Sequence, residues 1–335
     1  MKIAFYEIED WEKAYLEKKL PGYELSFFTE PLSLDNIDSA SDCPIVSPFI
    51  YSQINKDILQ KLPNLKMVAT RSTGFDHVDV QAAKKNSIAI CNVPFYGENT
   101  VAEHTFALIL ALSRKLIDSA ERTRKGDFTL DGLRGFDLKD KTLGIIGLGH
   151  IGLHVARIAK GFEMEILAYD PKEDKKISKK IGLKYASLKD LLEKSDIITL
   201  HIPYNKETHH LINSKSIGLF KKGAYLINTA RGGLVETQTL LKALSDGTLA
   251  GAGIDVLEEE CFIKEEAQLL SKEFPKTCDL KTALQNHILL EQKNVIVTPH
   301  NAFNSQEALM RILDTTVENI INFSKGKTQN VVKGK

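Results

Sequence analysis

The chain is predicted to be an α/β protein with two parallel-sheet domains of Rossmann-like or flavodoxin-like type. Three observations predict this. Its 335 residues exceed what one core usually organises. Short apolar runs alternate with amphipathic stretches from end to end, which is the rhythm of βαβ units. One glycine-rich turn, Gly147-x-Gly149-x-x-Gly152, joins an apolar run to a helical pattern, as in doubly wound sheets.

The elements follow in order. Lys2–Tyr6, Ile45–Phe49, Lys66–Thr70 and Ile88–Cys91 read as strands, with helical patterns at Ile54–Lys61 and Val80–Lys85 between them. Thr100 and Glu103 have capping-box spacing, so a helix should begin there. Val101–Arg122 is rich in Ala and Leu and holds no Gly or Pro, so that helix is expected to run unbroken. A second series of strands is expected at Thr142–Ile146, Glu165–Tyr169, Ile197–His201, Tyr225–Asn228, Gly251–Val256 and Val295–Thr298. The connection Glu258–Lys293 is long and carries a helical pattern at Glu265–Lys272. An amphipathic helix, Ser305–Ser324, closes the chain.

Composition excludes several function classes. Lys plus Arg equals Asp plus Glu at 44 each, so no basic face for nucleic acid is implied. No apolar run reaches the ~20 residues that span a bilayer, and the N-terminus lacks a signal-peptide pattern. A cytoplasmic protein is expected. Cys43, Cys91, Cys261 and Cys278 have neither zinc nor disulfide-framework spacing, so reduced structural thiols and no metal site are expected.

The glycine turn has a clear physical use. Gly147 allows a tight turn, Gly149 lets backbone approach a pyrophosphate, and Gly152 lets helix pack on strand. The helix N-terminus then offers free N–H groups to phosphates. The next apolar run ends in Asp170, 18 residues after Gly152. A carboxylate there accepts from ribose hydroxyls and repels a 2′-phosphate, so NAD is expected over NADP.

Three further run-ends carry groups suited to hydride chemistry on a 2-keto acid. Such chemistry needs a cation for the carboxylate, a proton donor for the developing alkoxide, and a partner for that donor. Arg231, followed by two glycines, offers a planar fork that grips a carboxylate. His300 ends Val295-Ile-Val-Thr-Pro-His300, and imidazole gives and retakes protons near neutrality. His201 competes with it and reads as structural or cofactor-side. Glu258, Glu259 and Glu260 all follow Asp255, and periodicity does not choose between them as the carboxylate partner. Asp255 could accept from a nicotinamide carboxamide. Backbone N–H groups at Thr73 and Gly74, in a small-residue turn, could bind the substrate carboxylate.

The whole pattern resembles the D-isomer-specific 2-hydroxyacid dehydrogenases. The matching segments are Arg71–Asp79, Asn92–Thr105, Gly144–Gly152, His201–Pro203, Asn228–Gly233, Gly251–Glu260 and Thr298–Ala302, in the family's order. The resemblance implies that Arg231 binds the substrate carboxylate, that His300 is the acid/base and that Glu260, five residues after Asp255, is its partner. It implies an NAD site lined by Gly147, Gly149, His150, Ile151, Gly152, Asp170, Ile202, Pro203, Thr208, Thr229, Ala230 and Asp255. It also implies a discontinuous substrate domain (1–101 and 302–335), an NAD-binding domain (102–301) and a homodimer through the latter.

Within the family the chain is most similar to the D-lactate dehydrogenase branch. Tyr96 occupies a substrate-site position of that branch, and Phe303 after His300-Asn-Ala fits it. Cys261 stands where proline often follows the family's glutamate. A phosphorylated substrate would want extra cations near Thr73 and Tyr96, and Arg71 is the only obvious local one, which argues against such a substrate. The alternatives are glyoxylate, hydroxypyruvate or phosphoglycerate as substrate class, or an NADH-sensing binding protein on the same fold.

Overall fold

A computed structural model describes residues 1–258 and 279–332. They form two compact units, Met1–Tyr96 with Ser305–Lys335, and Gly97–Asn304.

The first unit is built on five parallel strands. In chain order come β1 (Lys2–Phe5), α1 (Asp10–Lys19), β2 (Glu24–Phe27), β3 (Ile45–Ser47), α2 (Lys56–Lys61), β4 (Met67–Ala69), α3 (Val80–Lys85) and β5 (Ala89–Cys91). The sheet order is β2-β1-β3-β4-β5, the flavodoxin-like order. Alternate residues of each strand enter opposite cores. Ala4, Val46, Val68 and Ile90 pack on one face, and Ile3, Phe5, Ile45, Met67 and Cys91 on the other. Leu313, Val317 and Ile320 of the C-terminal helix cover the second face. That is how the two ends of the chain share one unit.

The second unit continues with α4 (Glu98–Ser113), α5 (Leu116–Arg124), β6 (Thr142–Ile146), α6 (His150–Gly161), β7 (Glu165–Tyr169), α7 (Lys175–Ile181), β8 (Lys184–Tyr185), α8 (Leu188–Lys194) and β9 (Ile197–Leu200). Then follow β10 (Ala224–Asn228), α9 (Thr237–Ser245), β11 (Leu249–Ile254), α10 (Leu280–Leu290) and β12 (Val295–Val297). The chain returns to the first unit as α11 (Gln306–Ser324), capped by the Ser305 hydroxyl, which accepts from the Ala308 amide. The seven parallel strands run β12-β11-β10-β9-β6-β7-β8. This is the doubly wound order with one added strand, reversing direction between β6 and β9.

Two expectations are corrected. The Thr100–Glu103 capping box does not form. The helix begins at Glu98, after Gly97, and Glu103 instead accepts from the Asn99 amide on the preceding turn. The helix also does not run to Arg122. It stops at Ser113, and Lys115 turns left-handed at φ 51° before α5 begins. The cause is tertiary: Phe136 donates its backbone N–H to the Ser113 carbonyl, which takes the acceptor a continuing helix would use. The strands β2 and β8 were not anticipated. Both lie at sheet edges, where neither alternation nor length is strong.

Among the described residues, no helix is long and apolar enough to cross a membrane. Burial pushes the thiols of Cys43 and Cys91 up to about 11, so both are unreactive packing groups near neutral pH. Cys261, Cys278 and the helical pattern Glu265–Lys272 lie outside the described residues.

Candidate active site

The cofactor cradle sits where the second sheet reverses direction. β6 ends at Ile146 and Gly147 turns at φ +94°, a conformation that side chains oppose. A Cβ on Gly152 would collide with the Gly147 carbonyl, so only glycine lets α6 start this close to the turn. A Cβ on Gly149, by contrast, would meet nothing within 4 Å. Gly149 is the N-cap of α6, so open space lies where helix amides are unsatisfied. That fits a pyrophosphate.

Asp170 closes the far side. One carboxylate oxygen accepts from the Leu148 amide at 2.8 Å and the other from the Lys172 amide at 2.8 Å. The acid is thus fixed beside the glycine turn, with lone pairs left for ribose hydroxyls. Lys172 is tied to it through its backbone. Ile202 and Pro203 follow β9, and the Ile202 methyl would lie 2.7 Å from a Cβ on Gly147. The Thr208 hydroxyl donates to the Pro203 carbonyl at 2.7 Å and so closes the 203–208 turn. His150 and Ile151 open α6. Thr229 shares a 3.1 Å hydroxyl hydrogen bond with Thr105, and the Ala230 amide donates to Asn228 at 3.1 Å.

The second group of residues lies on three neighbouring strands. Asn228, Ile254 and Val297 are aligned across β10, β11 and β12. Arg231, Asp255 and His300 come one to three residues later, all at the C-terminal ends of these strands. Adjacent strands stand ~4.8 Å apart, so the three side chains share one locality.

Asn228, 1% exposed, holds the Arg231 turn. Its amide nitrogen donates to the Arg231 carbonyl at 2.9 Å, while its oxygen takes the Ala230 amide. One guanidinium nitrogen of Arg231 donates to the Ala230 carbonyl at 2.8 Å. Asn228 carries no motif that assigns it a role in sequence. The available signal was a polar residue ending the apolar run Ala224–Asn228.

His300 is held in an uncommon conformation. Its φ is +50°, and its amide donates to the carbonyls of Asp255 at 2.8 Å and Thr298 at 2.9 Å. The Asp255 carboxylate accepts from the Thr298 hydroxyl at 2.6 Å and from the amides of Asn301 and Ala302, both at 3.0 Å. Asp255 therefore wraps the His300 turn around itself. One oxygen keeps capacity for a further donor, so a carboxamide contact is compatible. The His104 ring nitrogen reaches Thr298 at 3.1 Å, an approach from α4 with no local sequence signal.

The competing groups are separated by their surroundings. Burial pushes the His201 imidazole down to about 3, so it is neutral at working pH and does not carry the exchanged proton. Burial of Glu258 opposes its charged form. Hydrogen bonds from Thr237 and His210 outweigh that and hold its carboxyl below the usual range. Glu258 is thus committed to Thr237 and His210. Glu259 and Glu260 lie outside the described residues.

In the first unit, the Thr73–Gly74 turn follows β4. The carbonyls of Ser72, Thr73 and Gly74 accept from the Val93 amide, the Asn92 side chain and the Ser72 hydroxyl. The Thr73 hydroxyl donates to the Val93 carbonyl at 2.6 Å. Among the described residues, nothing accepts from the amides of Thr73 and Gly74. Tyr96 is half-buried, and its carbonyl accepts from Arg311 of α11 at 2.5 Å. Arg71 is 1% exposed and turned inward, so it offers no cation to a ligand.

Comparison with known proteins agrees with this geometry. Residues 106–302 match the family described as D-isomer specific 2-hydroxyacid dehydrogenase, NAD binding domain. A D-lactate dehydrogenase of Escherichia coli is 34% identical over 337 residues, 98% of each chain. A glyoxylate reductase of Thermococcus litoralis is 33% identical over 330 residues, covering 96% of this chain and 89% of that protein. A solved D-lactate dehydrogenase from Aquifex aeolicus, complexed with NAD and lactic acid, superposes with a TM-score of 0.86 at 36% identity. It covers 99% of both chains. The cradle, the strand-end residues and these matches agree: the chain belongs to the D-isomer-specific 2-hydroxyacid dehydrogenase family and is an NAD-dependent oxidoreductase acting on a CH–OH group.

Proposed function

We propose that the enzyme reduces pyruvate to D-lactate, with Arg231, Glu260 and His300 as its catalytic residues. The observation that carries this reading is the alignment of Arg231, Asp255 and His300 on three adjoining strand ends beside the cofactor cradle. Residues 102–301 would form the NAD-binding domain, and 1–101 with 302–335 the substrate domain. Thr73, Gly74, Tyr96 and Arg231 would hold the substrate. Gly147, Gly149, His150, Ile151, Gly152, Asp170, Ile202, Pro203, Thr208, Thr229, Ala230 and Asp255 would hold NAD.

When bound, the nicotinamide supplies the hydride. Arg231 pairs with the carboxylate and withdraws density from the adjacent carbonyl. His300 donates a proton to the oxygen as negative charge develops there, and regains it in the reverse direction. Glu260 would be the carboxylate partner of that ring, as the family resemblance implies. Asp255, by gripping the turn at Asn301 and Ala302, keeps His300 in its left-handed conformation.

Among substrates, the buried Arg71 argues against a phosphorylated acid, because this cation, two residues before Thr73, faces inward. Glyoxylate is the second reading, favoured by the 33% identity to a glyoxylate reductase. A panel of pyruvate, glyoxylate, hydroxypyruvate and a phosphorylated 2-keto acid, each with NADH and then NADPH, separates these. We expect the highest kcat/KM with pyruvate and NADH. A higher value for glyoxylate would transfer the assignment to the second reading.

A homodimer through the NAD-binding domain and a cytoplasmic setting complete the proposal. The dimer reading is supported by exposed apolar residues on and after α5: Leu116 at 59%, Phe128 at 76% and Leu130 at 83% exposed. Sedimentation equilibrium is expected to give twice the chain mass, and Leu130→Asp with Phe128→Asp to shift it towards the monomer. A wild-type protein monomeric at micromolar concentration would remove this part of the proposal.

A further inference from the structure

We propose that Glu7 and Arg71 are positioning residues for the substrate: they lock the ends of β1, β3 and β4 so that the amides of Thr73 and Gly74 are preset for a carboxylate. The proposal rests on the reading above that those amides receive the substrate.

The location matters first. In a flavodoxin-like sheet the order reverses between β1 and β3, and the crevice beyond those strand ends is where such folds take a ligand. Here the chain fills that crevice with its own groups. Glu7 follows β1 at φ 57°. Its carboxylate accepts from the consecutive amides of Phe49 at 3.2 Å, Ile50 at 2.9 Å, Tyr51 at 2.7 Å and Ser52 at 3.0 Å, and from the Ser52 hydroxyl at 2.5 Å. Successive amides converging on one anion form a nest of the sort that binds phosphates. In this protein an internal carboxylate occupies it.

Arg71 supplies the second half. It is the largest fully buried side chain among the described residues. Its guanidinium donates at 2.8 Å to each of three carbonyls: Ser47 at the end of β3, and Tyr6 and Glu7 just past β1. Its backbone belongs to the turn after β4, and its amide donates to Pro48 at 2.9 Å. Glu12 lies 3.9 Å from the guanidinium and offsets its charge. Burying charge this way is seldom more stable than apolar packing, but it does fix one arrangement.

A continuous polar chain runs from this brace to the turn. The Arg71 amide, donating to the Pro48 carbonyl at 2.9 Å, ties the loop to this turn, and on either side of Arg71 the Thr70 hydroxyl donates to the Ser72 hydroxyl at 2.7 Å, which donates in turn to the Gly74 carbonyl at 2.6 Å. Displacing loop 49–52 therefore disturbs the partner that fixes the Gly74 peptide. Presetting binding groups raises affinity by removing the cost of ordering them.

The test uses Glu7→Gln, which keeps the shape but turns an N–H₂ towards amide donors, and Arg71→Met as a second variant. Backbone hydrogen exchange is followed by mass spectrometry, with KM and kcat for pyruvate and the NADH dissociation constant. We expect about tenfold faster exchange in both 49–52 and 72–75, and a KM raised about tenfold with kcat within about threefold. NADH affinity and exchange across β6–α6 should match wild type. Faster exchange confined to 49–52 with unchanged KM would overturn the proposal. So would a loss spread over both units with weakened NADH binding, which marks a merely structural brace. The exchange readout needs no substrate, so a wild-type enzyme inert towards pyruvate would count against the functional reading alone.

Discussion

Replacing His300 by Ala is expected to lower kcat for pyruvate reduction about 10²–10⁴-fold, the range for loss of a positioned general acid. The expectation follows from where the proton must come from. Hydride delivery to the carbonyl carbon leaves charge on the oxygen, and His300 is the strand-end group we propose to neutralise it. His201 is not an alternative, because burial pushes its ring down to about 3, so it is neutral at working pH and cannot serve as an imidazolium donor. NADH binding should be retained, since the glycine turn and Asp170 are untouched. The sign of the pH dependence is fixed as well. Reduction consumes a proton and should slow as pH rises, whereas oxidation of D-lactate releases one and should quicken. A flat reduction profile through the neutral and alkaline range, or near-wild-type kcat in His300→Ala, would remove His300 from this role.

Arg231→Ala is expected to cost about 10³-fold or more in kcat/KM, on the order of 4 kcal/mol of transition-state stabilisation. Both KM and kcat should suffer, because in the proposed role the guanidinium would bind the carboxylate and also polarise the carbonyl beside it. Arg231→Lys should recover only part of the loss, since an ammonium keeps the charge but not the two-pronged geometry. The Arg231 turn is itself braced by Asn228, which grips the main chain at Ala230 and Arg231. The Ala variant should therefore keep its fold and its NADH affinity. Steady-state kinetics beside NADH fluorescence titration makes the check, and full activity in Arg231→Ala would contradict the assignment.

What the sequence displayed and what it concealed divide along local and tertiary lines. The glycine turn was legible because three glycines, an apolar run and Asp170 fall within one βαβ unit. The structure gives Gly147 a reason in its positive φ and Gly152 one in its close approach to the Gly147 carbonyl, and leaves open space around Gly149. Val80–Lys85 and Thr142–Ile146 were read to the residue, because alternation and capping there are local signals. The break at Ser113 was not legible. An Ala- and Leu-rich segment has every local reason to stay helical, and the Phe136 amide that ends it comes from a later loop. The same holds for Glu258, whose partners Thr237 and His210 lie far away in sequence. Arg71 shows a further limit. In sequence it is the only obvious cation near the Thr73 turn, which already argues against a phosphorylated substrate, and the fold turns even that one inward onto three carbonyls. Residue type alone does not say which way a strand-end side chain faces.

Stereochemistry offers the most direct test of the central claim. Purified protein is incubated with pyruvate and NADH, NADH loss is followed, and the lactate formed is resolved on a chiral column. The expected result is NADH consumption matched mole for mole by D-lactate, with L-lactate at background and both signals lost in His300→Ala. L-lactate as the product, or tight NADH binding with no lactate of either hand, would contradict it.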